Sequence, residues 1–153
     1  MKTKFAKYNI PAALLMILFS AATTNAEEKT CSLEVSIDGI RNNSGSIMMG
    51  LFNQPHDDFP GEKKEFKNAY IKITDKKATQ SFTLPCGKYA VSVFHDENGN
   101  RQLDANSIGI PKEGYGFSMN HPDSKFGPPE YKKAEFKLKK GKKKISIQMI
   151  YLF

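Results

Sequence analysis

Asp96, Asn98, Asn100 and Asp104 gather oxygen-bearing side chains into one short stretch, with Gln102 between the last two. Counted from Asp96, they fall at positions 1, 3, 5 and 9, and the Gln102 carbonyl supplies position 7. Calcium takes about six to eight hard oxygen ligands, and alternate residues of a curled loop aim theirs at one centre. The pattern departs from a helical calcium loop at two places: Arg101 stands where glycine is used, and Ser107 where a bidentate glutamate closes the shell. A metal-free turn competes with this reading, because Asn98-Gly99 is a hairpin dipeptide and Asx side chains cap their own backbone. With Asp96 and Asp104 as the carboxylates, calcium affinity is expected near about 10⁻⁴ to 10⁻³ M.

The same stretch offers a second chemistry. His95 beside Asp96, with Asp104 nearby, is the constellation a small hydrolase would use. Adjacent strand residues point to opposite faces, which argues against an acid-base pair. Neither cysteine has a histidine close in sequence, and His56 and His121 are isolated in polar loops. The expectation is a non-enzyme. Further on, glycines alternate with Ile108, Ile110, Tyr115 and Phe117, and Phe126 precedes Gly127-Pro128-Pro129. Tyr115, Phe117 and Phe126 could line a ligand groove, or could pin a long loop to the body.

These residues need a frame. Leu33, Val35 and Ile37 alternate with polar residues, as a half-buried strand does. Similar patterns place strands at 47–52, 69–74, 78–84, 88–95, 131–139 and 145–153, while 53–68 is a polar loop with Phe59 and Phe66 as its anchors. In 88–95, Tyr89, Val91 and Val93 share one face. Seven short strands without a helical period predict an all-β fold, a seven-stranded antiparallel β-sandwich of immunoglobulin or transthyretin-like kind with one long Gly/Pro-rich loop. Ile145, Ile147, Met149, Tyr151 and Phe153 also alternate like an outer-membrane barrel strand. A barrel needs at least about eight strands of about nine to eleven residues, longer than most seen here.

Lys2, Lys4 and Lys7, an apolar run over 10–20, and small residues ending at Ala26 form the order of a secretory leader, with cleavage expected after Ala26. The apolar run is short of the roughly twenty residues that span a bilayer, so no stable membrane span is expected. The 153 residues less 26 leave 127, one domain over 27–153, in the periplasm or the medium. Without the three leader lysines, 23 basic residues become 20 against 16 acidic, a net +4 concentrated in 137–144. That run solvates a hairpin tip and does not suggest nucleic acid. An exported chain with two cysteines is expected to join Cys31 to Cys86.

The run from Gly87-Lys88-Tyr89 through His95-Asp96-Glu97-Asn98-Gly99-Asn100, then Leu103-Asp104 and Gly109-Ile110-Pro111-Lys112-Glu113-Gly114-Tyr115-Gly116-Phe117-Ser118, resembles the bacterial exported family catalogued as domain of unknown function 2141. Gly127-Pro128-Pro129 and Gly39-Ile40-Arg41-Asn42 fit it too. Arg101 departs from it, since a small residue, usually glycine, is expected there. The resemblance implies an exported, sandwich-like domain and brings no catalytic residues. A binding or interaction module of the cell envelope follows, taking an unknown envelope protein or a small ligand, with 96–129 as its working surface.

Overall fold

A computed structural model describes residues 29–55, 57–61 and 64–153, apart from the side chain of Phe126; the leader through Ala26 and His56 lie outside the described residues. Among them the chain forms β1 (Thr30–Asp38), β2 (Ser46–Phe52), β3 (Lys67–Lys72), β4 (Ala78–Pro85), β5 (Gly87–Asp96), β6 (Tyr115–Phe117), β7 (Phe136–Leu138) and β8 (Lys142–Gln148). Two 3-10 turns, Ser118–Asn120 and Pro122–Phe126, and one short helix, α1 (Tyr131–Ala134), lie between β6 and β7. The strands make two open sheets, one in the order β4-β1-β8, the other β3-β2-β5-β6 with β7 also paired to β5. The described residues therefore form no closed barrel.

Period-two patterning decides which side chains meet. In β1 the residues Cys31, Leu33, Val35 and Ile37 are buried, and they join Ile47, Met49 and Leu51 of β2 and Tyr89, Val91 and Val93 of β5 in one apolar cluster drawn from both sheets. Leu33 is fully enclosed there; cutting such a side chain to alanine costs about 2–5 kcal/mol. The disulfide Cys31–Cys86 ties the start of β1 to the single residue between β4 and β5.

Four expectations are corrected. Eight strands replace seven, because Tyr115–Phe117 leaves the long loop to pair with Ser92–Phe94 of β5. The sheets are not wholly antiparallel: β8 runs parallel to β1, from Ser32↔Lys142 to Asp38↔Gln148. The two strands lie far apart in sequence, with the whole second sheet between them, so no tight turn forces them to be antiparallel. The predicted strand 131–139 splits into α1 and β7. Tyr131 and Ala134, three apart, bury on one helical face, whereas Phe136 and Leu138 bury with strand period. The predicted terminal strand likewise stops at Gln148, and Ile150 crosses to the other sheet, where it exchanges backbone hydrogen bonds with Tyr115.

The five-stranded sheet is apolar on its outer face as well. Phe52, Ala90, Tyr115 and Phe117 make a second cluster there, covered by Phe59 and by Tyr131 and Ala134 of α1. The Phe59 ring stands edge-on to Phe52 at 5.0 Å and to Tyr131 at 5.6 Å, so it anchors the 53–66 loop. Phe66 anchors it less, being 41% exposed beside Tyr89. Ser118 fastens α1 to the sheet: its hydroxyl donates to the Ala134 carbonyl at 2.5 Å and accepts from Val91 N–H at 2.9 Å.

Candidate functional site

The loop that follows β5 is held by two buried carboxylates. Asp96 ends the strand with 1% of its surface exposed. Its Oδ1 accepts from the N–H of Gly99 at 2.8 Å and of Asn100 at 3.1 Å, and its Oδ2 from the N–H of Arg101 at 3.0 Å. Those bonds bend 97–101 into a tight curl in which Gly99 and Arg101 both take positive φ. The chain then runs back on itself, with Lys112 N–H donating to the Asp104 carbonyl at 2.8 Å and Asn106 closing the tip. Glu113, 4% exposed, shuts the neck: Oε1 accepts from Glu97 N–H at 2.9 Å and Oε2 from Asp104 N–H at 3.0 Å.

Of the five residues expected to hold calcium, the side chains of Asn98, Asn100 and Asp104 meet, with the nitrogen and not the oxygen of each asparagine toward Asp104. Asn98 donates its side-chain amide to Asp104 at 2.6 Å, and Asn100 donates to the same carboxylate at 3.1 and 3.2 Å. Their amide oxygens accept from backbone, Asn98 from Asn100 N–H and Asn100 from Gln102 N–H. Asp96 stands apart with its oxygens on the curl's own amides, and Gln102 borders the groove on the sheet.

His95, Asp96 and Asp104 are not brought together. His95 is wholly buried, with Nδ1 2.8 Å from the Tyr151 hydroxyl and Nε2 2.7 Å from the Ser44 carbonyl. A carbonyl only accepts, so Nε2 carries a proton and donates it to Ser44, while Nδ1 pairs with the Tyr151 hydroxyl. Arg41 closes the arrangement from outside. Its guanidinium pairs with Glu97, donates to the carbonyls of Phe153 at 2.8 Å and Lys112 at 3.2 Å, and lies 4.7 Å from the Tyr151 ring centroid. Arg41 together with the Asn42 amide holds the Glu97 carboxyl down at about 2. This cluster ties the loop to the segment after β8.

Where the loop lies over the sheet it leaves a groove. Its floor is the outer face of β2 and β5, with Met48, Gly50, Ser92 and Phe94. Two adjoining cavities of about 720 and 730 Å³ share Pro60, Ser92, Phe94 and Leu103. The first runs toward Tyr70, Arg101 and Gln102; the second toward Ile110, Pro111, Tyr115, Phe117, Lys125 and Pro128, with Leu152 and Phe153 at its rim. Gly50 keeps the floor low, since a Cβ there would sit 2.9 Å from the Phe52 ring and 3.3 Å from Ser92 Oγ. Tyr115 and Phe117 pack in the outer cluster and border the second cavity.

Arg41, Glu113 and Leu103 stand in the sequence only as motif residues, without a site role, and the floor residues without one either. A signal for the floor existed: β5 is apolar on both faces, with Ala90 and Phe94 opposite Val91 and Val93, so its outer face had to be partly covered. No such signal marked Glu113, whose partners are backbone amides.

A family model described as an uncharacterized protein conserved in bacteria (DUF2141) matches residues 35–146. No curated protein and no solved structure matches the chain.

Proposed function

The chain belongs to this uncharacterized bacterial family, DUF2141, and on that premise we propose that it is an exported binding module of the cell envelope whose working surface is the groove on the outer face of β2 and β5. The observation that carries the reading is the groove itself. Its two cavities lie in the size range of small-molecule sites, about 300–1,000 Å³; the second is lined mainly by apolar and aromatic side chains, while the first sets Met48, Phe52 and Leu103 beside Glu65, Asn68, Ser92, Arg101 and Gln102. A chain in water does not keep such a surface open without cost, since burying it would be favourable at about 25 cal/mol per Å². The leader pattern and the Cys31–Cys86 bridge support export. One apolar cluster shared by both sheets supports an immunoglobulin- or transthyretin-like sandwich as the platform.

The test is direct. Titrating purified protein into the neutral dye phenylnaphthylamine should raise its fluorescence saturably. Leu103, 40% exposed and common to both cavities, can be changed without touching the core, so Leu103→Glu should abolish the rise with the fold intact. Absence of saturable binding by the parent protein would remove the proposal.

Calcium enters this reading as a proposed stiffener of the loop, supported by the meeting of Asn98, Asn100 and Asp104. For their oxygens to join Asp104 as ligands both carboxamides would have to turn over, giving up the bonds they accept from Asn100 N–H and Gln102 N–H.

A further inference from the structure

Resting on the groove reading above, we propose that the ligand is a single-chain anionic amphiphile, its headgroup on Arg101 and its alkyl chain along the floor past Phe94 and beneath Leu103. The first reason is what the floor lacks. It is a sheet face, and the backbone amides and carbonyls of β2 and β5 are engaged in ladders with their neighbours. An extended peptide laid there would bury its own N–H and C=O groups with few partners, and each one left unpaired would weaken its binding. An alkyl chain carries no such groups.

The second reason is charge. The Arg101 guanidinium borders the first cavity and stacks over the Tyr70 ring, 5.1 Å from its centroid. Among the described residues it makes no ion pair. A guanidinium placed over an aromatic ring keeps N–H donors with which to take a carboxylate or phosphate through two hydrogen bonds. Glu65 borders the same cavity and works against an anion, which makes its charge a control. The second cavity has its own cation, Lys125, which among the described residues lies over no aromatic ring.

The third reason is the backbone. Arg101 sits at φ 65°, a conformation glycine adopts freely, and it is held there by Asp96 accepting from its N–H. A side chain in that conformation is disfavoured, because its Cβ crowds the following carbonyl oxygen. Strain of this kind tends to persist where the side chain is used.

Displacement of bound phenylnaphthylamine tests the assignment, with all competitors kept below their micellar concentrations. Dodecanoate or lysophosphatidylglycerol should displace the dye at concentrations about tenfold lower than dodecanol, the factor expected of a charge-assisted hydrogen bond worth about 1.5 kcal/mol. Whichever of the two acts at the lower concentration identifies a free fatty acid or a membrane lipid as the source of the headgroup. Arg101→Gln should remove the preference while leaving displacement by dodecanol unchanged, which also reports an intact fold. Glu65→Gln should strengthen the preference. Equal displacement by dodecanoate and dodecanol in the parent protein would overturn the proposal, as would loss of the preference in Lys125→Gln but not in Arg101→Gln. In both cases dye binding survives and the groove reading stands; failure of the dye to bind removes the groove itself.

Discussion

The Glu113 carboxylate reaches across the base of the loop to the backbone N–H of Asp104, 3.0 Å away, while its other oxygen takes the N–H of Glu97. Two points of the chain seven residues apart are thereby fixed to one buried side chain. Glu113→Gln keeps the shape but turns an amide N–H₂ toward one of those donors. We expect a loss of about 1–3 kcal/mol of stability, the cost of leaving a buried donor unpaired. In urea unfolding the midpoint should fall with the slope unchanged, and amide exchange should quicken at Glu97 or Asp104.

Arg101→Gly should separate stability from function. Removing the side chain relieves the left-handed backbone, and the gain of up to about 1 kcal/mol survives the added freedom of glycine in the unfolded chain. The thermal midpoint should rise by a few degrees. The same variant should lose the preference for an anionic headgroup. A fall in midpoint would show that stacking on Tyr70 outweighs the strain.

Acid should weaken the junction between Arg41 and Glu97. Pairing lowers the Glu97 carboxyl from its ordinary 4.5 to about 2. A carboxyl lowered on folding contributes stability that is fully present above 4.5 and is lost as pH falls from there toward 2. The pair is partly open to water, with 35% and 20% of the two side chains exposed, so the loss should be held to roughly 1 kcal/mol. Arg41→Gln should flatten that limb of the stability-pH curve. An unchanged limb would place the acid sensitivity elsewhere.

The Cys31–Cys86 bridge spans 55 residues. On the chain-entropy account it restrains the unfolded state by about 4 kcal/mol. Replacing both cysteines by serine should lower stability by about 2–5 kcal/mol, part of it from Cys31, which packs in the core. Reduction of the parent protein should reproduce most of the loss.

For calcium the measurement is calorimetric. Saturable heat with a dissociation constant of about 10⁻⁴ to 10⁻³ M, absent in Asp104→Ala, is the expected outcome. A flat titration at several millimolar would leave the loop to its hydrogen bonds.

Much of this architecture was legible in the chain. Alternation in Leu33, Val35 and Ile37, and in Tyr89, Val91 and Val93, marks inward faces that bury as read. The bridge follows from two cysteines and a leader pattern. Long-range pairing was less visible. Tyr115–Phe117 is only three residues long and sits among glycines, so its strand character comes from its partner on β5. The groove was harder still, because it belongs to the space between a sheet face and two loops, and no single segment encodes it. Asp96 shows both limits at once: its type and spacing suggest a cation, while its bonds go to the amides of its own loop.

The parallel pairing of β1 with β8 sets a timetable. Ser32 meets Lys142, so the central strand of the three-stranded sheet acquires one of its two neighbours only after 110 further residues exist. Closing a loop that long is entropically costly before any contact rewards it, and topologies of this kind fold slowly. β1 is thus early to be made and late to be finished. Until β8 arrives, one side of β1 remains an open edge with its amides and carbonyls unsatisfied. A ribosome-bound or translocating chain would carry that edge throughout its passage, and would complete this sheet only after Lys142–Gln148 had emerged.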